Sequence, residues 1–131
     1  MVLRARGCTH LLRICGVGPI VAAKILGETR GIGRFRNAAA YAAHTGTAPV
    51  PASSGRTQRH RLNRGGNRQL NRALYTIAMV QARWDPAARA YLDRKLAEGK
   101  SAAEAHRCLK RHLANTVYRA LVADLETRAL T

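Results

Sequence analysis

Residues 53–78, SSGRTQRHRLNRGGNRQLNRALYTIA, join a basic stretch to an amphipathic helix. Asn67 is a favourable N-cap residue, and the apolar residues after it recur at helical spacing. They are Leu70, Ala73, Leu74, Ile77 and Ala78. The preceding residues, 52–66, show no helical period and are predicted to be extended or looped. Because a helix with one apolar face must pack against other elements, this stretch predicts a helical core with a basic loop beside it.

Further helices are predicted on the C-terminal side. Asp85 and Pro86 fit the N-cap and first position of a helix that ends at Gly99, and Ser101 to Glu104 fit a capping box before a long helix. The predicted buried face of the first helix consists of Ala88, Tyr91, Leu92 and Leu96. The apolar stripe of the second consists of Leu109, Leu113, Val117, Leu121 and Leu125.

The N-terminal side predicts a helix-hairpin-helix. A short helical run, residues 10–15, is followed by Gly16-Val-Gly-Pro19 and a second helical run, residues 20–26. Gly16 and Gly18 permit positive φ and close backbone approach, and Pro19 suits the first turn of a helix. Such hairpins grip a phosphate through exposed amides without reading the base. The alternative is an αα-hairpin with no ligand.

A shorter helix is predicted after the turn-rich residues 27–33. Asn37 is its N-cap, residues 38–43 form its body, and Gly46 ends it. Phe35 and Tyr41 suit either stacking on bases or packing in the core, and core packing is the commoner role. We therefore predict one all-α domain over residues 1–131, with the hairpin at 10–28, the basic loop at 49–66 and the remaining helices at 67–126.

The charge of the chain points to a polyanionic partner. The formal net charge is +16, and residues 29–84 contain ten arginines but no lysine and no acid. Nucleic acid is the partner class that this composition favours, although codon bias also raises the arginine content. The predicted contacts are Arg56, Arg59, Arg61, Arg64, Arg68 and Arg72, together with Gly16 and Gly18. No apolar run is long enough for a membrane span, and three cysteines without a Cys-x-x-Cys pair favour a reduced, cytoplasmic setting.

The arginines also surround two adjacent serines, Ser53 and Ser54. A serine hydroxyl among arginines suits phosphoryl chemistry, because the guanidinium groups stabilise charge on the transferring phosphate. A serine before glycine is equally typical of a turn. His60 is either a proton carrier or a residue without a chemical role. No metal site is predicted, and zinc at His106, Cys108 and His112 is the less favoured interpretation.

Several motifs in order resemble one family. They are Leu-Leu-x-x-x-Gly-Val-Gly-Pro19, then Phe35, then Ala-Ala-x-x-Gly-x-Ala-Pro49, then Ser54-Gly55, and finally Asn63-Arg-Gly-Gly-Asn67-Arg-x-Leu70 with Ala73-Leu-Tyr75. Over about residues 11–126 the chain resembles the C-terminal domain of transposases of insertion-sequence family one-ten, grouped with one-sixteen and nine-oh-two. Where familiar members read Lys-Arg-Gly-Asn-x-x-Leu-Arg, this chain reads Asn-Arg-Gly-Gly-Asn-Arg-Gln-Leu-Asn-Arg.

The resemblance implies a DNA recombinase. Such transposases pair an N-terminal RuvC-like domain, whose acidic tetrad binds divalent metal, with a C-terminal domain that carries a serine nucleophile, and a structured RNA guides target choice. The nucleophile maps to Ser54, with Ser53 as the rival. The seven acids of this chain have no tetrad spacing. We therefore expect the RuvC-like domain to be absent from the chain, no cofactor within it, and DNA, a guide RNA, a separate RuvC-like domain or a second copy as partners.

Two other functions fit the composition. A stand-alone nucleic-acid-binding module of ribosomal, repair or nucleoid type would use the hairpin and the arginines without catalysis. A folded remnant of a transposase would do neither. Binding to nucleic acid separates the remnant from the other two, and an adjacent acidic-tetrad reading frame separates the transposase from the module.

Overall fold

The computed structural model describes residues 9–48 and 66–130, and no β-strand occurs in these two ranges. The α-helices are α1 (Pro19–Thr29), α2 (Ala38–Thr45), α3 (Arg68–Trp84), α4 (Pro86–Ala97) and α5 (Ala102–Leu130). Two short 3-10 helices, His10–Arg13 and Ile32–Arg34, precede α1 and α2. The all-α prediction is confirmed.

The helices begin and end where short-range capping predicts. Asn37 and Asn67 accept hydrogen bonds at 2.9 Å from the backbone N–H of Ala40 and Leu70, which satisfies free donors in the first turns of α2 and α3. In the capping box before α5, Ser101 Oγ accepts from the Glu104 N–H and the Glu104 carboxylate accepts from the Ser101 N–H. Gly46 ends α2 with φ of 80°.

One hydrophobic core joins these helices, with α3 in the middle. The buried face of α3 holds the five apolar residues from Leu70 to Ala78 that the helical period predicts. Helix α3 contacts α1, α2, α4 and α5, and α5 also contacts α2 and both 3-10 helices. Leu109, Leu113 and Val117 of α5 are buried in the same core. Helices α3 and α5 are therefore the centre of the fold, and the turns between the other elements pack around them.

Two predicted core residues lie outside the core. Leu96 is 46% exposed and Leu125 is 41% exposed. Both were placed by repeating a spacing of four residues along a helix. Each such step rotates the side chain by about 40° away from the starting face, because an α-helix has 3.6 residues per turn. On α5 the buried face therefore moves to Asp124, which is buried beside Leu121.

The N-terminal turn is anchored to the far end of α5. The residues predicted as a helical run before Gly16 form the 3-10 helix His10–Arg13. Thr9 Oγ1 donates to the Asp124 carboxylate, and the His10 N–H donates to the same group at 2.7 Å. His10 Nδ1 lies 2.5 Å from that carboxylate. This anchor fixes the 3-10 helix His10–Arg13 against the core.

Tyr41 belongs to the core. It is 1% exposed, and its hydroxyl lies 2.8 Å from Thr29 Oγ1. Burial raises the pKa of the Tyr41 phenol. Phe35 packs edge-on against it at a centroid distance of 5.1 Å. The core-packing interpretation is correct for Tyr41, and Phe35 is partly buried against the same core.

The turn-rich stretch predicted at residues 27–33 is shorter than expected. Helix α1 continues through Gly27 to Thr29, and the chain then turns at Arg30 and Gly31, whose φ values are 54° and 95°. Arg34 donates to the carbonyl oxygen of Thr29 through Nε and Nη2, at 3.1 and 2.9 Å. The last turn of α1 is therefore closed by a side chain.

Candidate nucleic-acid interface

The turn before α1 packs against α3. Gly16 has φ of 95°, and a Cβ placed there would lie 3.2 Å from the Ile77 carbonyl oxygen and 3.4 Å from Val80 Cβ. The side-chain amide of the buried Gln81 donates to the Cys15 carbonyl oxygen at 2.8 Å. Gly16 therefore allows close approach of two backbones within the protein.

Gly18 is in a different environment. Its φ is −100°, which any residue adopts, and a Cβ there would meet no atom within 4 Å. It is the N-cap residue of α1, with Pro19 at the first helical position as predicted. The first turn of an α-helix has N–H groups without intrahelical acceptors, so this end of α1 is suited to an anion. Of the two predicted glycines, only Gly18 lies in open space.

A close contact between Gly46 and Gly66 brings the ends of the basic segment together. A Cβ on Gly66 would lie 2.6 Å from the Cα of Gly46 and 2.8 Å from its nitrogen. The Asn67 N–H donates to the His44 carbonyl oxygen at 2.6 Å, next to this contact. The residues that precede and follow residues 49–65, at the end of α2 and the start of α3, are therefore in contact with each other.

An open cleft of about 610 Å³ lies at this contact. It is lined by Thr45, Gly46, Gly66, Asn67, Arg68, Asn71, Arg72 and Tyr75. Arg68 and Arg72 are exposed and four residues apart on α3, so they line the same cleft, in agreement with their helical spacing. No carboxylate lines the cleft, although Glu28 accepts a hydrogen bond from Asn67 Nδ2 at 3.1 Å.

Asn71 holds three elements together at the floor of the cleft. Its side-chain nitrogen donates to the carbonyl oxygens of Thr45 and Gly46, at 3.0 and 3.3 Å. Its side-chain oxygen accepts from Lys110 Nζ at 3.0 Å. The amide therefore ties the end of α2 to α3 and orients a lysine of α5 towards α3.

The charged side chains that line the cleft are both cationic, and more cations lie beside them on α5. Burial lowers the pKa of the Lys110 ammonium, and the nearby Arg107 lowers it further. Burial and Lys110 lower the pKa of His106 in the same way. Within residues 9–48 and 66–130, no carboxylate lies within salt-bridge distance of Arg68, Arg72 or Lys110. A bound phosphate would reduce this repulsion.

The remaining predicted site residues lie outside the described residues. They are Ser53, Ser54, Arg56, Arg59, Arg61 and Arg64, and His60 is among their neighbours. Their predicted roles stay predictions. The structure contributes the positions of the two ends of their segment, at Ala48 and Gly66, of which Gly66 lines the cleft.

The described residues contain no cluster of three or more His, Cys, Asp or Glu side chains that would hold a metal ion. His106 packs against the ring of Tyr75 at a centroid distance of 5.6 Å, and His112 stacks on Tyr91 at 5.5 Å. All seven acids lie in the described ranges, and they do not form an acidic tetrad. The residues present do not fit the metal site of a RuvC-like domain, so no chemical step is assigned to a metal here.

None of the described helices is both long enough and apolar enough to span a lipid bilayer.

Three residues at or beside the cleft were not predicted as site residues. Asn71 had no predicted role, and Tyr75 was named only as part of a family motif. The spacing of Asn67 and Asn71, one turn apart, was the available signal for the first. Lys110 gave no local signal, because it is 39 residues from Asn71 and reaches it only through the packing of α5 on α3.

The sequence matches the transposase IS116/IS110/IS902 family over residues 8–93, which is more than half of the chain. It is 38% identical over 117 residues to an uncharacterized 42 kDa protein of insertion element IS900 from Mycobacterium paratuberculosis, covering 88% of this chain and 29% of that protein. It is 42% identical over 92 residues to an uncharacterized 43.6 kDa protein of insertion element IS110 from Streptomyces coelicolor. This match covers 69% of this chain and 22% of that protein.

A third relative is the mini-circle putative transposase for IS117 of Streptomyces coelicolor, which is 34% identical over 125 residues, covering 90% of this chain and 28% of that protein. The chain therefore spans less than a third of the length of each of these relatives. A match over more than half of the chain identifies the family, so the chain belongs to the IS116/IS110/IS902 transposase family.

Proposed function

We propose that this chain is the nucleic-acid-binding, C-terminal part of an insertion-sequence transposase and that it contributes a serine nucleophile to DNA strand exchange. The observation that carries the proposal is the cleft between α2 and α3. Both ends of the serine-bearing segment meet there, beside Arg68 and Arg72. The family membership supports a role in transposition.

The cleft suits the phosphate backbone of DNA. Arg68 and Arg72 have no carboxylate partner among the described residues, so their guanidinium groups are available to phosphate oxygens. Gly18 and the first turn of α1 form a second phosphate contact in the proposed helix-hairpin-helix. Neither contact reads a base, so this part of the protein positions DNA without selecting its sequence.

The proposed chemistry takes place on the loop between Ala48 and Gly66. The oxygen of Ser54, or of its rival Ser53, loses its proton and bonds to a DNA phosphorus atom, while the bond from phosphorus to one deoxyribose oxygen breaks and that oxygen takes up a proton. The phosphoserine ester conserves the bond energy, so a deoxyribose hydroxyl of another strand reverses the step. Arg56, Arg59, Arg61 and Arg64 stabilise the charge on the phosphate oxygens.

The proposed partners follow from the same role. They are DNA, a structured guide RNA, a separate RuvC-like domain that supplies the acidic metal site, and a second copy of this chain. We place this assembly in the cytoplasm, where the cysteines stay reduced.

Covalent trapping tests the serine. The chain is expressed with the N-terminal domain of a relative and incubated with element-end DNA, and denaturing gels report protein–DNA adducts. We expect an adduct with the native sequence that is lost in Ser54→Ala. If the adduct is lost only in Ser53→Ala, Ser53 is the nucleophile. Adducts that persist in both variants would refute the serine assignment.

Fluorescence anisotropy tests the cleft separately. A labelled duplex is titrated with the isolated chain and with Arg68→Gln/Arg72→Gln. We expect the double variant to bind at least about tenfold more weakly, because two phosphate contacts are lost. Arg83→Gln, at the other end of α3, is the matched control and should bind as the native chain does. Equal affinity of all three proteins would exclude the cleft as the binding surface.

A further inference from the structure

Tyr75 is a large aromatic residue that the core does not use. It is 49% exposed and lies on α3 one turn after Arg72. The buried face of the helix instead holds Leu74 and Ile77 on either side of it in sequence. Tyr75 lines the cleft together with both arginines. Its exposed surface therefore lies in a cleft that is lined by two arginines and by no carboxylate.

Helix α5 supports the Tyr75 ring from behind. The His106 ring lies against it at a centroid distance of 5.6 Å and an interplanar angle of 52°. Lys110 Nζ lies 5.9 Å from the ring centroid and is itself held by Asn71 Oδ1. Because α5 braces one part of the ring, the tyrosine loses less side-chain freedom when a ligand contacts its exposed part.

The surroundings of the ring define the chemistry of a ligand. A flat aromatic surface favours a flat aromatic partner, and arginines one turn away favour a phosphate. A nucleotide offers both groups. In a duplex, however, the bases already stack on one another, so a ring at the surface of a protein reaches only the base of an unpaired nucleotide.

We propose that Tyr75 is a stacking platform for an unpaired nucleotide whose flanking phosphates are held by Arg68 and Arg72. This inference rests on the proposed function and narrows it. The cleft binds a single-stranded part of the nucleic acid, beside the segment that carries Ser53 and Ser54. Lys110 completes the site by placing a positive charge next to the stacked pair.

The test uses three fluorescent probes with the full chain: a 20-nucleotide oligothymidine, the corresponding oligouridine and a 20-base-pair duplex. Anisotropy titrations compare the native chain with Tyr75→Leu and Tyr75→Phe. We expect Tyr75→Leu to weaken single-strand binding about tenfold, the usual loss of one stacked base, and to leave duplex binding within about twofold. Tyr75→Phe retains the ring and should bind single strands as the native chain does.

Trp84→Leu is the matched control, because Trp84 is an exposed aromatic on the same helix and does not line the cleft. It should bind all probes as the native chain does. A loss confined to oligothymidine assigns the unpaired nucleotide to DNA, and a loss confined to oligouridine assigns it to RNA; both support stacking. Single-strand affinity of Tyr75→Leu within about twofold of native, or equal losses for single strands and duplex, would overturn the proposal.

The failure of this proposal and that of the proposed function have different signatures. If the native chain binds none of the probes at low salt, the proposed function fails. If Arg68→Gln/Arg72→Gln loses affinity while Tyr75→Leu keeps it on every probe, the cleft binds phosphates and only the stacking role is wrong.

Discussion

The turn before α1 and the cleft beside α3 both combine glycines with groups suited to phosphate, but the surroundings of the glycines differ. In the turn, Gly16 packs against Ile77, whereas a Cβ at Gly18, at the start of α1, would meet no atom within 4 Å. In the cleft, Gly46 and Gly66 pack against each other, and the open groups are arginine side chains. The turn thus offers backbone amides, whereas the cleft offers guanidinium groups.

The glycines of the turn and the cleft have one of two kinds of surroundings. At Gly16 and Gly66 a Cβ would press on the backbone of another part of the chain, and at Gly46, whose φ is 80°, it would lie 3.2 Å from the Asn71 side chain. At Gly18 it would meet no atom within 4 Å. Adding a methyl group distinguishes the two kinds of position. The loss of stability should be large where the protein fills the space and small where the space is open.

Gly66→Ala should have the largest effect on stability. Its Cβ would lie 2.6 Å from the Cα of Gly46, and backbone atoms on both sides would have to move. We expect the free energy of unfolding to fall by about 3 kcal/mol. Urea denaturation followed by circular dichroism measures this. Native stability in Gly66→Ala would show that the two ends of the basic segment are not in close contact.

Gly16→Ala and Gly18→Ala sharpen the comparison within the turn before α1. At Gly16 the methyl group combines a positive φ with contacts to Ile77, so we expect a loss of about 2 kcal/mol. At Gly18 it meets nothing, and the loss should stay below about 1 kcal/mol, from the poorer N-cap alone. The same denaturation experiment checks both values. A larger loss at Gly18 than at Gly16 would reverse the assigned roles.

Gly27→Ala should have a smaller effect of the opposite sign. Gly27 is exposed within α1, and a Cβ there meets no atom within 4 Å. Alanine lowers the conformational entropy of the unfolded chain at such a helical position, so stability should rise by about 0.5–1 kcal/mol. Thermal unfolding reports the change. A destabilised Gly27→Ala would mean that α1 ends before this residue.

The pH dependence of stability should contain a small contribution from His44, behind the cleft. Burial lowers its pKa and Arg34 lowers it further, whereas Glu28 raises it. The unfolded chain therefore binds a proton more readily than the folded protein does. Stability is full above the unfolded pKa of about 6.5 and falls as the pH drops from there towards the folded pKa.

His44→Gln tests this sign. Between about pH 8 and pH 5, the native chain should lose more of its unfolding free energy than the variant loses, because only the native chain has this proton uptake on unfolding. Carboxylates distant from His44 contribute equally to both proteins and cancel in the comparison. Identical pH profiles would show that the His44 ring is free to be protonated in the folded state.

Most of the helical framework could be predicted because its signals are short-range. Asn37, Asn67 and Ser101 cap helices through partners three residues away, and Gly46 ends α2 with the positive φ that favours glycine. The misplaced Leu96 and Leu125 share another cause. A spacing of four leaves the helical face by about 40° at each step, and this error accumulates until it exposes Leu96 on α4 and, after Leu121, Leu125 on α5.

The site was only partly predictable, because its geometry depends on distant pairs. Arg68 and Arg72 were found from their spacing on one helix. The contact of Gly46 with Gly66 and the bond of Lys110 to Asn71 join residues 20 and 39 positions apart. No local pattern encodes such pairs, since the packing of α5 on α3 and of α2 on α3 creates them.

The central claim is that the cleft beside α3 holds the phosphate backbone. The salt dependence of duplex binding tests this claim most directly. The slope of log K against log salt concentration is measured for the native chain, Arg68→Gln/Arg72→Gln and Arg83→Gln. We predict that the double variant has a slope smaller in magnitude by about 2, one unit for each lost phosphate contact, and that Arg83→Gln keeps the native slope. An unchanged slope in the double variant would contradict the account.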